Sequence, residues 1–423
     1  MKVLIVGGGG REHAIAWKIK KDNPEVELFC APGNAGMQGI AKRVPIKAND
    51  MQGLLAFAKR EPIDFTIVGP EEPLVAGIVN LFQKDGLKAF GPSKKGALLE
   101  GSKAFSKGLM DKYKIPTAYC AVFSDYENAS AYIEDHGAPL VVKADGLAAG
   151  KGVIVCQTLE QADNALRRLM LDMQFAEAGE KVVIEDLLVG PEVSVLALID
   201  GNTILPLESA RDHKRAQDGD RGENTGGMGA LSPAPGYTEE DAEAVRSQII
   251  IPTLNAIKKE GIVYKGVLYF GLILTKEGPK VIEFNCRFGD PETQAILPRL
   301  KSNLLDAMIA TVDMRLDQVN LEWEDSACAC VVLASGGYPG SYIKGHPISG
   351  VSCVPKGVRV FHAGTAVDNA GDLVTDGGRV LDVAAMGETH DAAAEACYRA
   401  VSGIDFVDIQ YRTDIGRRIE QEG

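Results

Sequence analysis

The sequence lacks the marks of several large classes of protein. Its eight cysteines include no C-x-x-C pair, so zinc-ribbon sites and dithiol redox chemistry have no ligand spacing to use. Cys328 and Cys330 alternate with alanines in the run from Ala327 to Leu333, as small residues in a packed strand do. No apolar run approaches a membrane span. The amino terminus offers only Val3 to Val6 before a string of glycines, too short for a signal peptide. The expectation is a reduced, cytoplasmic chain with no membrane partner. Basic residues are in deficit, with 45 Lys and Arg against 58 Asp and Glu and a net charge of −13. That balance argues against a nucleic-acid partner and requires any anionic substrate to be held by local cations and amides. Internal repeats and low-complexity tracts are absent, which excludes solenoids. What remains is ordinary globular composition, 45% hydrophobic and 24% charged, at a length that predicts two to four domains at about 100 to 200 residues each.

Residues 1 to 101 alternate short apolar strands with amphipathic helices. Strands are expected at Val3–Val6, Val26–Cys30, Phe65–Val68 and Leu87–Phe90, and helices at Arg11–Lys20, Met51–Lys59 and Leu74–Gln83. The alternation predicts a doubly wound parallel sheet, whose ligands sit beyond the carboxyl ends of the strands. Those ends carry Gly7-Gly-Gly-Gly-Arg-Glu-His13, Pro32-Gly-Asn-Ala-Gly36 and Gly69-Pro-Glu-Glu72. The first loop breaks the dinucleotide fingerprint: Glu12 or His13 stands where the third glycine is needed, and no acid ends the second strand. Gly9, Gly10 and Arg11 suit a phosphate at a helix start, or form a bare structural turn. Glu71 suits sugar hydroxyls, or complements a helix dipole.

The chain changes character after Gly101. Ser102 reads as the N-cap of a helix through Tyr113. Strands at Leu140–Lys143 and Val153–Cys156 flank Ala144-Asp-Gly-Leu-Ala-Ala-Gly-Lys-Gly152. That hairpin has glycines whose amides can approach phosphate oxygens and lysines at both ends, yet it is not a Walker loop. The strand Val182–Glu185 runs through Asp186, Leu187 and Leu188 into a second, Glu192–Ile199; the connector suits either an adenine edge or a linker. Residues 208 to 230 form a long polar stretch read as irregular, in which Arg211, His213, Lys214 and Arg215 suit an anion site or a solvated surface. His213 stands beside Asp212, but no Ser or Cys nucleophile motif accompanies it, which argues against a hydrolase triad. From about Ser326 the chain turns to short strands and a helix near Ala392–Val401, read as a cap or support with few catalytic groups.

The densest chemistry lies from Val281 to Glu292. At the strand period, Ile282, Phe284, Cys286 and Phe288 face one way, and Glu283, Asn285 and Arg287 the other. Oxygen ligands followed by a guanidinium fit a platform for a Mg²⁺-bound nucleotide. An ordinary amphipathic strand fits that face equally well.

The glycine-rich hairpin, the hinge and the Glu-x-Asn strand, in that order, resemble the ATP-grasp ligases. Six stretches carry the resemblance further: the loops Gly7 to His13 and Pro32 to Gly36, the hairpin Lys143 to Gly152, and the motifs Asp212-His-Lys-Arg215, Asn224-Thr-Gly-Gly-Met-Gly229 and Glu283-Phe-Asn-Cys-Arg-Phe-Gly-Asp-Pro-Glu292. Together they are similar to the phosphoribosylamine–glycine ligase family. One departure is Gly8, where that family usually has asparagine.

The resemblance implies an N-terminal domain over 1–101, a central ATP-grasp domain of two α+β lobes over 102–325 with a lid lobe at about 119–188, and a small α+β domain over 326–423. It implies ATP as co-substrate, a Mg²⁺ (or Mn²⁺) ion, small-molecule partners and a monomer. Lys103 and Lys143 would reach the ATP phosphates under a loop that includes Gly150, Lys151 and Gly152. Glu185, Asp186, Leu187 and Leu188 would line the adenine, Glu192 would hold the ribose, and Glu283 and Asn285 the metal. Gly9, Gly10, Arg11, Asn34, Gly36, Gly69, Pro70, Glu71 and Asp290 would cradle phosphoribosylamine. Asp212 and Arg287 would hold glycine and, with Lys143, serve catalysis. Another ATP-grasp amine ligase or carboxylase of purine metabolism would share the nucleotide half, but not the Gly-Arg-Glu-His and Asp-Pro-Glu signatures together.

Overall fold

Burial of Val3 to Val6 on both faces makes the strand Lys2–Gly7 the centre of the first sheet. The computed structural model describes residues 1–148, 152–172 and 179–417. Lys2–Gly7 pairs in parallel with Glu27–Pro32 on one side and Phe65–Val68 on the other. Lys42–Arg43 and Ala89–Phe90 complete the five-stranded parallel sheet at its two edges. The strand order reverses at Lys2–Gly7, so the loops after it and after Phe65–Val68 open onto one crevice. The helix expected over Leu74–Gln83 is two helices, Glu71–Ala76 and Ile78–Lys84. Gly77, at φ +99°, breaks the chain between them.

The central region folds as two antiparallel sheets. One orders Cys120–Phe123, Val182–Asp186, Leu140–Ala144 and Val153–Cys156; the other orders Ile204–Pro206, Glu192–Ile199, Gly266–Thr275 and Gly278–Asn285. A helix runs from Glu239 to Lys259, with a widened π turn at Arg246–Ile250 inside it.

The strand expected over Val281 to Glu292 differs in two respects. Gly271 pairs with Glu283 and Leu272 with Val281, so Ile282 has no partner and the strand bulges there. Val281 fills the core in its place, while Ile282 turns to the same cavity as Glu283. The strand also stops at Asn285, and Arg287 lies beyond it.

The stretch 208–230 is more ordered than its composition suggests. Arg211–Asp212 and Gly229–Ser232 join a five-stranded sheet with Ala327–Ala334, Arg379–Gly387 and Arg359–His362. Between them Arg215–Gln217 and Arg221–Asn224 form a hairpin. Its tip is tied down by Arg412, which donates to Asp220 Oδ1 at 2.6 Å. Partners distant in sequence supply this order, and no local pattern announces them. One core cluster contains residues of all three regions, among them Ile5, Leu196, Cys328 and Phe361. No described helix is long and apolar enough to cross a membrane.

Where the first helix meets the C-terminal sheet, His13 packs edge-on to Phe361 and accepts a hydrogen bond from the His362 amide at 2.9 Å. Burial, and then the nearby His362, lower the His13 pKa from 6.5 to about 3. The unfolded chain therefore takes up this proton first, and stability falls as pH drops below 6.5. Between pH 7 and 5, His13→Gln should lose about 2 kcal/mol less stability than the parent chain, at about 1.4 kcal/mol per pH unit below 6.5. Parallel denaturation curves at the two pH values check this; equal losses would contradict it.

Candidate active site

The two antiparallel sheets enclose a cavity of about 760 Å³ that runs on to the crevice of the first sheet. At one end, Lys143 and Glu185 face the same way because their strands pair with Lys143 opposite Val183 and Val141 opposite Glu185. Lys143 Nζ donates to Glu185 Oε2 at 2.8 Å and to the Ile282 carbonyl at 3.3 Å. Lys107 approaches the same carboxylate oxygen at 3.0 Å. Glu185 Oε1 is buried with no hydrogen-bond partner among the described residues, leaving a strong acceptor beside the hinge at Leu187 and Leu188. The hairpin is anchored at its base, where Asp145 accepts from the Ala104 amide at 2.7 Å. Lys103 Nζ donates to the Gly146 carbonyl at 3.2 Å.

Glu283 and Asn285 lie two residues apart on one face of their strand and open onto the cavity midway along it. Burial raises the Glu283 pKa, but Lys214, Lys143, Lys103 and Arg287 together hold it below the usual carboxylate value. It is therefore ionised in a setting rich in cations. Among the described residues no three His, Cys, Asp or Glu side chains cluster as a metal cage. A single carboxylate with an amide oxygen suits a hard cation that takes its other ligands from phosphate and water. The donor set fits a divalent cation bound to a nucleotide.

Beyond the strand, Arg287 is held by four acceptors. Its Nε lies 3.4 Å from Glu71 and its Nη2 3.2 Å from Glu100. It also donates to Asn285 Oδ1 at 3.4 Å and to the Phe288 carbonyl at 3.3 Å. Burial pushes the Glu100 carboxyl up to about 7 against the pull of Arg287. Asp212 is the opposite case. Its Oδ1 is buried without a hydrogen-bond partner among the described residues, and burial, then nearby Glu292, raise its pKa well above the ordinary value. A cation entering here would find an unengaged oxygen on Asp212 and would favour its ionised form.

Lys103, Lys143, Gly152, Glu185, Asp186, Leu187, Leu188 and Glu192, the residues expected around a nucleotide, all line the cavity. Asp212, Glu283, Asn285, Arg287 and Asp290 line the remainder, with Arg11, Pro70 and Glu71 at the junction with the crevice. Gly150 and Lys151 lie outside the described residues. Gly9, Gly10, Asn34, Gly36 and Gly69 lie in the loops that follow the strands of the first sheet and are not among the residues lining the cavity, and several of their polar groups are already engaged. The Gly9 amide donates to Glu12 Oε2 at 2.6 Å, and Arg11 Nε bonds the other oxygen of Glu12 at 2.5 Å. Asn34 donates to the Gly8 carbonyl at 2.9 Å and to the His362 carbonyl at 2.6 Å. A Cβ on Gly69 would collide with the Glu12 carboxylate, so that position requires glycine.

Sequence reasoning missed Lys107, Glu100, Glu292 and Arg379. Lys107 stands one helical turn after Lys103, a spacing that was there to be read. Glu100 and Arg379 have no local signal, because only the tertiary fold brings them to the site. The C-terminal region, read as a cap or support with few catalytic groups, does send one charged side chain to the site: Arg379 lines the cavity, pairs with Asp290 at 3.3 Å, and donates to the Gly226 carbonyl at 2.7 Å.

Family profiles match nearly the whole chain in three consecutive pieces. They are the phosphoribosylglycinamide synthetase N domain over residues 1–100, its ATP-grasp (A) domain over 101–293 and its C domain over 328–418. The chain belongs to the phosphoribosylglycinamide synthetase family. A phosphoribosylamine–glycine ligase of Vibrio vulnificus is 50% identical over 423 residues, covering 99% of this chain and 98% of the relative. One from Escherichia coli K12 is 49% identical over 428 residues, covering 100% of both. The crystal structure of a phosphoribosylamine–glycine ligase from Thermotoga maritima superposes with a TM-score of 0.86 at 34% identity, covering 98% of this chain and 100% of that one. Membership of this synthetase family makes the central region an ATP-grasp ligase domain, one that uses ATP with a divalent cation.

Proposed function

We propose that this synthetase-family chain joins glycine to 5-phosphoribosylamine at the expense of ATP, giving glycinamide ribonucleotide, ADP and phosphate. One observation carries the reading beyond family membership. A single cavity brings together Lys103, Lys107 and Lys143, an ionised Glu283, and a buried Asp212 with a free oxygen. That spacing of charges suits an amino acid placed between ATP and a second amine.

A carboxylate does not react with amines until it is activated. In this reading a glycine carboxylate oxygen attacks the γ-phosphorus of ATP, the bond to ADP breaks, and glycyl phosphate forms. The nitrogen of phosphoribosylamine then attacks the acyl carbon, phosphate leaves with the oxygen that came from glycine, and the new amide loses a proton. Lys103 and Lys143 stabilise the charge of the transferring group, and the Arg287 guanidinium orients the carboxylate. Asp212 holds the glycine ammonium, which keeps that amine protonated and out of the reaction. Mg²⁺, or Mn²⁺, when bound at Glu283 and Asn285, supplies further neutralisation of phosphate charge. Leu187 and Leu188 present backbone to adenine and Glu192 its carboxylate to ribose. The crevice with Arg11, Asn34 and Glu71 receives the ribosyl substrate. In this reading the closed site excludes water from an acyl phosphate that water would destroy. The same reading places a monomer in the cytoplasm, acting on small molecules alone.

ADP release should require glycine and phosphoribosylamine together. Release stimulated instead by bicarbonate or formate would assign the chain to a different ATP-grasp reaction.

A further inference from the structure

The strand Arg379–Gly387 bulges at Val380, because Leu333 pairs with Leu381 and Ala334 with Arg379. Val380 and Leu381 both enter the C-terminal core as a result. Arg379 and Asp382, three residues apart, then both make their contacts with the Gly289–Gln294 segment. Asp382 is fully buried there. Its Oδ2 accepts from Gln294 Nε2 at 3.0 Å, and the same amide nitrogen donates to Asp290 Oδ1 at 2.8 Å. Gln294 thus bridges two carboxylates. The pair closes on the first glycine loop. A Cβ on Gly10 would collide with Asp382 Oδ2, and one on Gly9 would lie 3.3 Å from Asp290 Oδ2. Burial, and then Asp290, push the Asp382 carboxyl up to about 7. Asp382 Oδ1 and Gln294 Oε1 have no hydrogen-bond partner among the described residues. A buried acid placed only to glue two surfaces together would be replaced at little cost by an apolar residue of similar size. This one instead aims a polar bridge at the loop where the first sheet opens.

We propose that Asp382 is a positioning residue for the phosphoribosylamine half of the site, acting through Gln294 and Asp290 on the Gly9–Gly10 loop. The inference rests on the ligase reading above. It makes the strand Arg379–Gly387 a working wall of the acceptor crevice.

Steady-state kinetics of Asp382→Ala, Gln294→Ala, the double variant and Asp382→Asn test it. Each single alanine variant should raise KM for phosphoribosylamine about 10-fold, the scale of one lost and uncompensated hydrogen bond, and leave KM for ATP and glycine within about 2-fold. The double variant should be no worse than either single one, since both break the same bridge. Asp382→Asn keeps an oxygen able to accept from Gln294 and should restore most of the affinity. If Asp382→Ala does not fold, Gln294→Ala and Asp382→Asn carry the test. Unchanged kinetics, an equal rise in all three KM values, or additive effects in the double variant would overturn the proposal. The ligase reading is judged separately, on the parent chain: without turnover on glycine and phosphoribosylamine that reading fails, whatever the variants do.

Discussion

Glu283→Ala should abolish ligation, with kcat falling about 1,000-fold, the upper range for removal of one preorganised electrostatic partner. Glu283 is the one carboxylate of its strand that faces Lys103, Lys143 and Lys214 together, with Lys214 Nζ 3.8 Å from its Oε1. Removing it takes away the proposed metal ligand and leaves three cations without the carboxylate they face. A thermal-shift readout separates these effects from misfolding. Saturating Mg²⁺ and ATP should protect the parent chain against melting, by about 2.7 kcal/mol at a ligand concentration 100 times Kd. In Glu283→Ala the Mg²⁺-dependent part of that protection should vanish. A variant that still ligated at the parent rate would remove Glu283 from the metal site.

Arg287→Ala should have the second largest effect, on stability as well as on turnover. The guanidinium lies against two carboxylates, Glu71 and Glu100, and breaking a buried pair by deleting one partner typically costs about 3 to 5 kcal/mol. Glu100 has a way out, because its carboxyl already sits at about 7 and protonates when the positive charge is gone. The cost should therefore fall at the low end of that range at neutral pH and grow as pH rises and Glu100 is forced to ionise. Turnover should drop about 100- to 1,000-fold, as expected for a group that fixes the reacting carboxylate. Arg287→Lys should rescue little, since one ammonium cannot span Glu71, Glu100 and Asn285 as a planar fork does. Full activity in Arg287→Lys would show that charge alone is enough.

The parts of the fold legible in the sequence are those governed by local periodicity. The strands Phe65–Val68, Val153–Cys156 and Glu192–Ile199 fall at the residues expected, since each is a short, largely apolar run set off by glycine, proline or polar turn residues. Ser102 caps its helix as read, accepting from the Phe105 amide. The failures share a cause. Ile282 reads as a core residue because a bulge leaves no trace in a period-two pattern. Residues 208–230 look irregular because their order comes from Ala327–Ala334 and Arg412, more than 90 residues downstream. Arg379 escapes notice for the same reason: a lone arginine in a strand acquires meaning only from Asp290 and Gly226. The motifs that carry the resemblance are legible because each is a short contiguous loop. The side chains that position those loops come from elsewhere in the chain.

Activation of the glycine carboxylate by phosphorylation is the central chemical claim. Turnover with glycine labelled with heavy oxygen in its carboxylate tests it most directly, read by mass spectrometry of the released phosphate. One labelled oxygen should appear in phosphate for each glycinamide ribonucleotide formed. Phosphate free of label, with ligation proceeding, would contradict a glycyl phosphate intermediate, and with it the roles of Arg287, Lys143 and Asp212 in forming one.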